Sequence, residues 1–168
     1  IVNQAAKWSH MFGGQASPAV TIRGIINRGG EQGAQHSQSL HSWLAHIPGL
    51  VVLMPSTVQD AHDLLVAGVK SNNPVIYIDD RWLYDETASF NNKSTIKSIL
   101  KIEPKKLKAG DDLTIVGCGY GTKIACEVSD ILKFNNIKSD VIDLRMLNPL
   151  RLKSVARSVK KTKKLVVI

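Results

Sequence analysis

The sequence predicts an α/β protein made of two doubly wound, mostly parallel-sheet units. Three observations carry this. Short, wholly apolar runs at 50–54, 75–78 and 113–116 are too brief for helices and read as strands buried on both faces. Between them, apolar residues recur at helical spacing, first Ala61, Leu64, Leu65 and Val69, then Ile124, Ala125, Val128 and Leu132. The alternation breaks once, over residues 86–108, where polar and basic residues mark a linker. Strand–helix alternation on either side implies parallel strands joined by right-handed crossovers. The expected division is 1–85, a linker 86–108, and 109–168.

The elements follow in order. Residues 1–12 have helical spacing, with Val2, Ala5, Ala6 and Trp8 inward and Gly13-Gly14 as the stop. Residues 19–23 read as a buried strand. The Gly-rich stretch Arg28-Gly29-Gly30-Glu31-Gln32-Gly33 then leads to a helix over 37–45, closed by Pro48-Gly49. The strand at 50–54 ends at Pro55. Ser56 or Thr57 caps the next helix, Asp60 lies in its first turn, and Asn72-Asn73-Pro74 breaks it before the strand at 75–78. In the second unit a strand at 113–116 is followed by the tight turn Gly117-Cys118-Gly119-Tyr120-Gly121 and a helix over 122–134. A strand at 139–144, a segment from Asn148-Pro149 into a helix over 152–158, and an apolar strand at 165–168 complete the pattern.

Composition narrows the classes. With 168 residues, 43% apolar and 21% charged, the chain has enough apolar residues for a real core. No apolar run approaches the roughly 18 residues of a membrane span, and the start lacks a basic-then-apolar leader, which favours a cytoplasmic protein. Cys118 and Cys126 lack zinc-site spacing and read as buried free thiols. The formal charge of +8 raises nucleic-acid binding, but Lys105-Lys106-x-Lys108 and Lys160-Lys161-x-Lys163-Lys164 have no interleaved aromatics to stack on bases. Solvated surface is the favoured reading, and an acidic protein partner the next.

Two patterns imitate known sites. Gly117-x-Gly119-x-Gly121 with Asp143 at the end of the next strand has the look of a dinucleotide fingerprint, yet the third glycine falls one residue early, with Thr122 in its place. The spacing favours a structural turn. His36, His41 and His46 recur every fifth residue, and five residues of helix rotate by about 500°, so the rings diverge where zinc ligands would share a face.

The landmarks Asn3-Gln4-Ala5-Ala6-Lys7, Gly13-Gly14, Arg23-Gly24, Gln35-His36-Ser37-Gln38, His46-x-Pro48-Gly49, Pro55, Asp60-Ala61, Asn73-Pro74 and Leu83-Tyr84 occur in a telling order. Residues 1–84 thereby resemble the β subunit of the thiamine-diphosphate-dependent 2-oxoacid dehydrogenases, the decarboxylating component of the pyruvate and branched-chain complexes. Gly117-x-Gly119 and Asp143-Leu144-Arg145-x-Leu147-x-Pro149 resemble the C-terminal domain shared with transketolases. The resemblance implies that residues 1–85 are part of a pyrimidine-binding domain and 109–168 part of a transketolase C-terminal-type domain. Both units read as incomplete, so a longer chain is expected.

From the resemblance, His36 is the active-site histidine, suited to proton transfer or charge stabilisation as an acyl group passes to lipoamide. The cofactor is thiamine diphosphate, a carbanion reagent when bound. The glutamate that activates it and the aromatic residue that stacks on it fall before the helix with which this chain starts, and Glu31 has the wrong context to replace the former. The resemblance implies that magnesium and the diphosphate belong to an α subunit, with thiamine diphosphate at the interface of an α2β2 heterotetramer that also works with a lipoyl acyltransferase; the Gly-Asp-Gly segment with a following Asn expected of that α subunit does not occur in this sequence. The resemblance implies a potassium site at Val20, Gly68, Val69, Ser71 and Asn73, with Ser71 where an aspartate is usual. It places the protein in the bacterial cytoplasm, or in the mitochondrial matrix of a eukaryote. Asp79-Asp80-Arg81-Trp82 departs from the Glu-Asn-Glu or Glu-Pro-Lys of the mammalian enzymes, which keeps two alternatives open: a transketolase-like or sugar-pathway thiamine enzyme, and a non-catalytic binding module.

Overall fold

Two four-stranded sheets carry the chain in a computed structural model that describes residues 1–27, 33–94 and 96–168. Helix α1 (Ala5–Met11) precedes β1 (Thr21–Ile26); the short helices α2 (Gly33–His36) and α3 (His41–Ala45) precede β2 (Val51–Leu53). Helix α4 (Val58–Val69) then leads to β3 (Val75–Asp80). The second unit runs β4 (Lys105–Lys108), β5 (Leu113–Gly117), α5 (Tyr120–Phe134), β6 (Ser139–Asp143), β7 (Met146–Asn148), α6 (Lys153–Thr162) and β8 (Leu165–Val167).

The first sheet has the order β1-β3-β2-β7, with β1, β3 and β2 parallel. β3 is its centre because Val75, Ile76, Tyr77 and Ile78 are buried and can be covered on both faces. One face packs Leu53, Leu64, Val75, Tyr77, Ile99 and Met146; the other packs Ala6, Ile26, Val52, Met54, Ile76 and Ile78. The second sheet has the order β4-β6-β5-β8, covered by α5 through Ala125 and by α6 through Val155.

Four local expectations change. The helix expected over 37–45 is reduced to α3, and the separate turn α2 ends before it at His36; between them the Gln38 carbonyl accepts the Asn27 N–H (3.2 Å) and so leaves the helical ladder. The Ser39 hydroxyl meets His41 Nδ1 at 3.1 Å in the same break. The linker expected to reach residue 108 ends earlier, since β4 pairs antiparallel with β6. Its lysines find acids there: Lys106 bonds Asp140 at 2.7 Å and Lys108 bonds Asp130. Part of the basic surface is therefore neutralised within the fold.

The third change concerns the segment after β6. Arg145 adopts a left-handed backbone (φ 62°), and β7 then crosses over to pair antiparallel with β2 of the first sheet. Met146 is thereby buried in the first unit's core. The two sequence units are joined by a shared sheet as well as by a connection. The terminal helix extends to Thr162, beyond the expected 158. Most of the Gly-rich loop, Glu31 included, lies outside the described residues.

Candidate functional site

His36 is the last residue of α2 and is exposed. It stands at one wall of a cleft of about 360 Å³ above the C-terminal ends of β1 and β3. Gly24, Ile25 and Ile26 of β1 and Ile78 of β3 make an apolar floor, closed by Leu40 and Leu44. The polar rim is Gln35, His36, Gln38, His41 and Arg81. A cleft outside the carboxyl ends of parallel strands is where α/β sheets bind ligands. An apolar floor with a few convergent polar groups suits a small organic ligand with one charged or hydrogen-bonding end.

Gln35 and Gln38, read from sequence as junction residues, line this cleft with His36, whereas Ser37 is absent from its lining. His41 and Arg81 were missed, although the fifth-residue spacing of the histidines was a signal for the former. His41 is half-buried, and burial lowers its pKa while the Asp80 charge opposes that shift. His46, by contrast, is the C-cap of α3 and borders a different hollow with Val2 and Trp43. The continuous helix on which the divergence of the three rings was argued is not there. Among the described residues, no group of three or more His, Cys, Asp or Glu is arranged for a metal ion.

Behind the cleft, Asp80 is buried and accepts three hydrogen bonds. Oδ1 takes the Asn27 side-chain amide (2.9 Å) and the Trp82 N–H (3.1 Å); Oδ2 takes the Tyr120 N–H (2.9 Å). Arg23, beside the floor on β1, pairs with Asp79 and donates to the Tyr84 hydroxyl at 3.1 Å. Burial raises the Asp79 pKa against the pull of Arg23. Burial also lifts the Tyr77 phenol well above its ordinary range, so its hydroxyl stays a donor, to the Ala61 carbonyl at 2.9 Å.

The residues implied for a cation lie where the end of α4 meets β1 and β3. A side chain at Gly68 would meet Thr21 and Val75 at 3.4–3.5 Å, so α4 ends against the starts of β1 and β3. The Val20 carbonyl accepts the Val75 N–H (2.8 Å), and the Gly68 carbonyl accepts the Ser71 N–H (2.9 Å). Each keeps one lone pair. Ser71 Oγ is occupied by the Asn73 N–H (3.0 Å) and its side-chain amide (3.3 Å). Val20 and Val69 are the exposed members.

The fingerprint-like turn faces the protein. Gly119 has φ 52° with Met54 and Asp80 packed against it, and a side chain at Gly121 would meet the Ile168 carbonyl at 3.0 Å. Asp143 is fully buried: its Oδ1 accepts Ser56 Oγ (2.9 Å) and the Arg145 N–H (3.1 Å), so it is not presented to a ribose. Cys118 and Cys126 are free and half-buried, and burial pushes the Cys118 thiol up to about 11. No carboxylate lines the His36 cleft among the described residues. The described residues of the cleft thus offer the apolar floor and polar rim of a thiamine diphosphate site, and the acid that activates its pyrimidine is not among them.

The comparisons follow the fold. Residues 2–86, just over half of the chain, match the transketolase pyrimidine-binding domain, and 103–168 match the transketolase C-terminal domain. The chain belongs to the transketolase pyrimidine-binding domain family. Within that family, all 168 residues align at 38% identity with the pyruvate dehydrogenase E1 component subunit beta of Rickettsia bellii, covering 51% of it. The corresponding subunit of Rhizobium meliloti is also 38% identical, with 36% of its length covered. The beta subunit of an acetoin:2,6-dichlorophenolindophenol oxidoreductase from Cupriavidus necator is 38% identical over the whole chain, with 49% of it covered. The chain thus spans between 36% and 51% of the length of these curated relatives. Among solved structures, a split-gene transketolase in an inactive tetrameric form superposes with a TM-score of 0.72 at 21% identity, covering 88% of this chain and 46% of that one. A Pichia stipitis transketolase gives 0.62 at 18% identity, over 85% of this chain and 21% of that one. These structural likenesses establish the fold alone.

Proposed function

We propose that this chain is part of the β subunit of a thiamine-diphosphate-dependent 2-oxoacid dehydrogenase, acting on a pyruvate-like substrate. The observation that carries the reading is the unbroken 38% identity over all 168 residues to a pyruvate dehydrogenase β subunit. The division into 1–85, a connecting segment and a second unit that begins at β4, ahead of the expected 109–168, is part of it. When bound, the cofactor supplies a carbanion for decarboxylation. This chain offers the apolar floor of the cleft, which holds the organic part of a substrate and excludes water, and the polar rim that orients its charged end. His36 holds or delivers a proton at the acyl acceptor, a lipoyl sulfur on an acyltransferase component. An α subunit provides the magnesium and diphosphate site, in an α2β2 assembly of the bacterial cytoplasm or mitochondrial matrix. No helix among the described residues is long and apolar enough to cross a membrane.

The test mixes the chain with a pyruvate dehydrogenase α subunit and titrates thiamine diphosphate. Assembly with cofactor binding supports the reading; neither would leave a non-catalytic module ahead. In the assembled enzyme, His36→Ala is expected to slow acyl transfer to lipoamide by 10²-fold or more while sparing decarboxylation with an artificial electron acceptor. Equal loss in both assays would remove the role. A second substrate reading, acetoin, rests on the equal identity to the Cupriavidus necator subunit, and parallel assays with the two substrates separate them. We further propose a potassium ion at the backbone oxygens of Val20, Gly68, Val69, Ser71 and Asn73, supported by the spare lone pairs of Val20 and Gly68. Higher thermal stability in potassium than in sodium chloride is its expected sign.

A further inference from the structure

We infer that Asp80 is a positioning residue that locks the His36 segment to helix α5 of the second unit, so that the cleft and the second unit move as one element. The inference rests on the reading of His36 as the functional residue. The backbone joins Asn27 to Gln38, and His36 lies between those two anchors. Asn27 holds a left-handed backbone (φ 61°) and sends its side-chain amide to Asp80 Oδ1. The same oxygen takes the N–H of Trp82, whose neighbour Arg81 is on the cleft rim. The other oxygen, Oδ2, caps α5 by accepting the N–H of Tyr120, the first residue of that helix.

No side chain of the local sequence caps α5, since the cap position is Gly119. The cap comes instead from the first unit, across 40 residues of sequence. A carboxylate at the amino end of a fifteen-residue helix is favoured by the helix dipole. Asp80 is 4% exposed, so water cannot replace a partner that leaves. The joint has a second layer in Trp82, which meets the Tyr120 ring edge-on at 5.0 Å. A neutral amide of the same shape can satisfy only one side of this arrangement. Its single oxygen serves either Tyr120 or the Asn27–Trp82 pair, and its NH2 then opposes the other donors.

The experiment uses the whole 168-residue chain, labelled with ¹⁵N, and reads by NMR the exchange of the Tyr120 amide proton, the His36 resonances and the titration of the His41 imidazole. Asp80→Asn is expected to speed Tyr120 exchange by about tenfold, to move the His36 resonances, and to lower the His41 pKa through loss of the facing charge. Asn27→Gly keeps the left-handed backbone and removes only the amide. It is expected to speed Tyr120 exchange by about threefold, although Asn27 does not touch the helix. That long-range response is one that a purely local structural role would not produce. Should Asp80→Asn not fold, Asn27→Gly decides alone. Unchanged Tyr120 exchange and unchanged His36 signals overturn the inference. Neither readout needs cofactor, substrate or α subunit, so failure of the proposed function and failure of this coupling are separate results.

Discussion

Asp143 has no exposed surface, and its Oδ2 meets no donor although Oδ1 accepts bonds from Ser56 Oγ and the Arg145 N–H. Burial pushes its pKa up to about 6, with the Asp60 charge adding to the rise and the hydrogen bonds opposing it. A carboxyl whose folded pKa is raised stabilises the fold fully below the unfolded value near 3.9, and that contribution is lost as pH rises through about 6. The swing is on the order of 3 kcal/mol. Asp143→Asn should therefore match the parent near pH 4 and exceed it by about 1–2 kcal/mol at pH 7.5, the shortfall reflecting weaker bonds to a neutral oxygen. Urea melts at the two pH values check this; a variant less stable at pH 7.5 would contradict it. At this scale the sequence revealed His36 because its neighbours form a recognisable string. It concealed Asp80 and His41, whose roles come from partners 40 or more residues away or from a helix break that periodicity does not register.

At the scale of elements, α6 illustrates why its full length was missed. Its inner stripe is Val155, Ser158 and Thr162, two hydroxyls for one apolar residue, so the hydrophobic pattern stops before the helix does. Those hydroxyls join a buried network: Thr114 Oγ1 of β5 lies 2.7 Å from both Ser158 Oγ and Thr162 Oγ1, and Ser158 donates to Asp140 at 2.5 Å. Burial alone would raise the Asp140 pKa. Bonds from Lys106, Ser158, Gly110 and Lys161 outweigh it and hold the group down to about 2. Its stabilisation is thus present above the unfolded value near 3.9 and is lost as pH falls through about 2, a swing on the order of 2–3 kcal/mol. Ser158 and Thr162 place their own protons on Asp140 and the Lys164 carbonyl, so Thr114→Val keeps the shape but removes the one O–H that Thr114 donates to this pair. The expected cost is about 1–3 kcal/mol at neutral pH, read as a lowered urea midpoint. A neutral result would mean that Ser158 and Thr162 are satisfied through Asp140 and the Lys164 carbonyl alone.

For the whole molecule, the alternation of strands and helices was legible because buried parallel strands read as apolar runs, whereas the joint between the units was not. It is made of single polar residues and one three-residue strand: β7 on β2, Ser56 on Asp143, Asp80 on Tyr120, and Arg145 on Asp60. The last pair carries the largest stake. Asp60 is 1% exposed and receives Arg145 Nε (3.1 Å) and Nη2 (2.7 Å) on Oδ1, with Thr57 Oγ1 on Oδ2 at 3.1 Å. Lys105 stands farther off at 3.7 Å. Removing the guanidinium strands a buried carboxylate, which costs about 3–5 kcal/mol. Arg145 also sits at φ 62°, a conformation that costs a residue with a side chain about 1–2 kcal/mol and glycine little. Arg145→Ala should then lose the full amount, while Arg145→Gly recovers about 1 kcal/mol by relieving the backbone yet remains less stable than the parent. Because the lost bond joins the units, calorimetry of Arg145→Ala is expected to show a broader or divided transition relative to the parent. If Arg145→Gly equalled the parent, the ion pair would contribute nothing and the joint would rest on β7 and the Asp80 and Asp143 bonds.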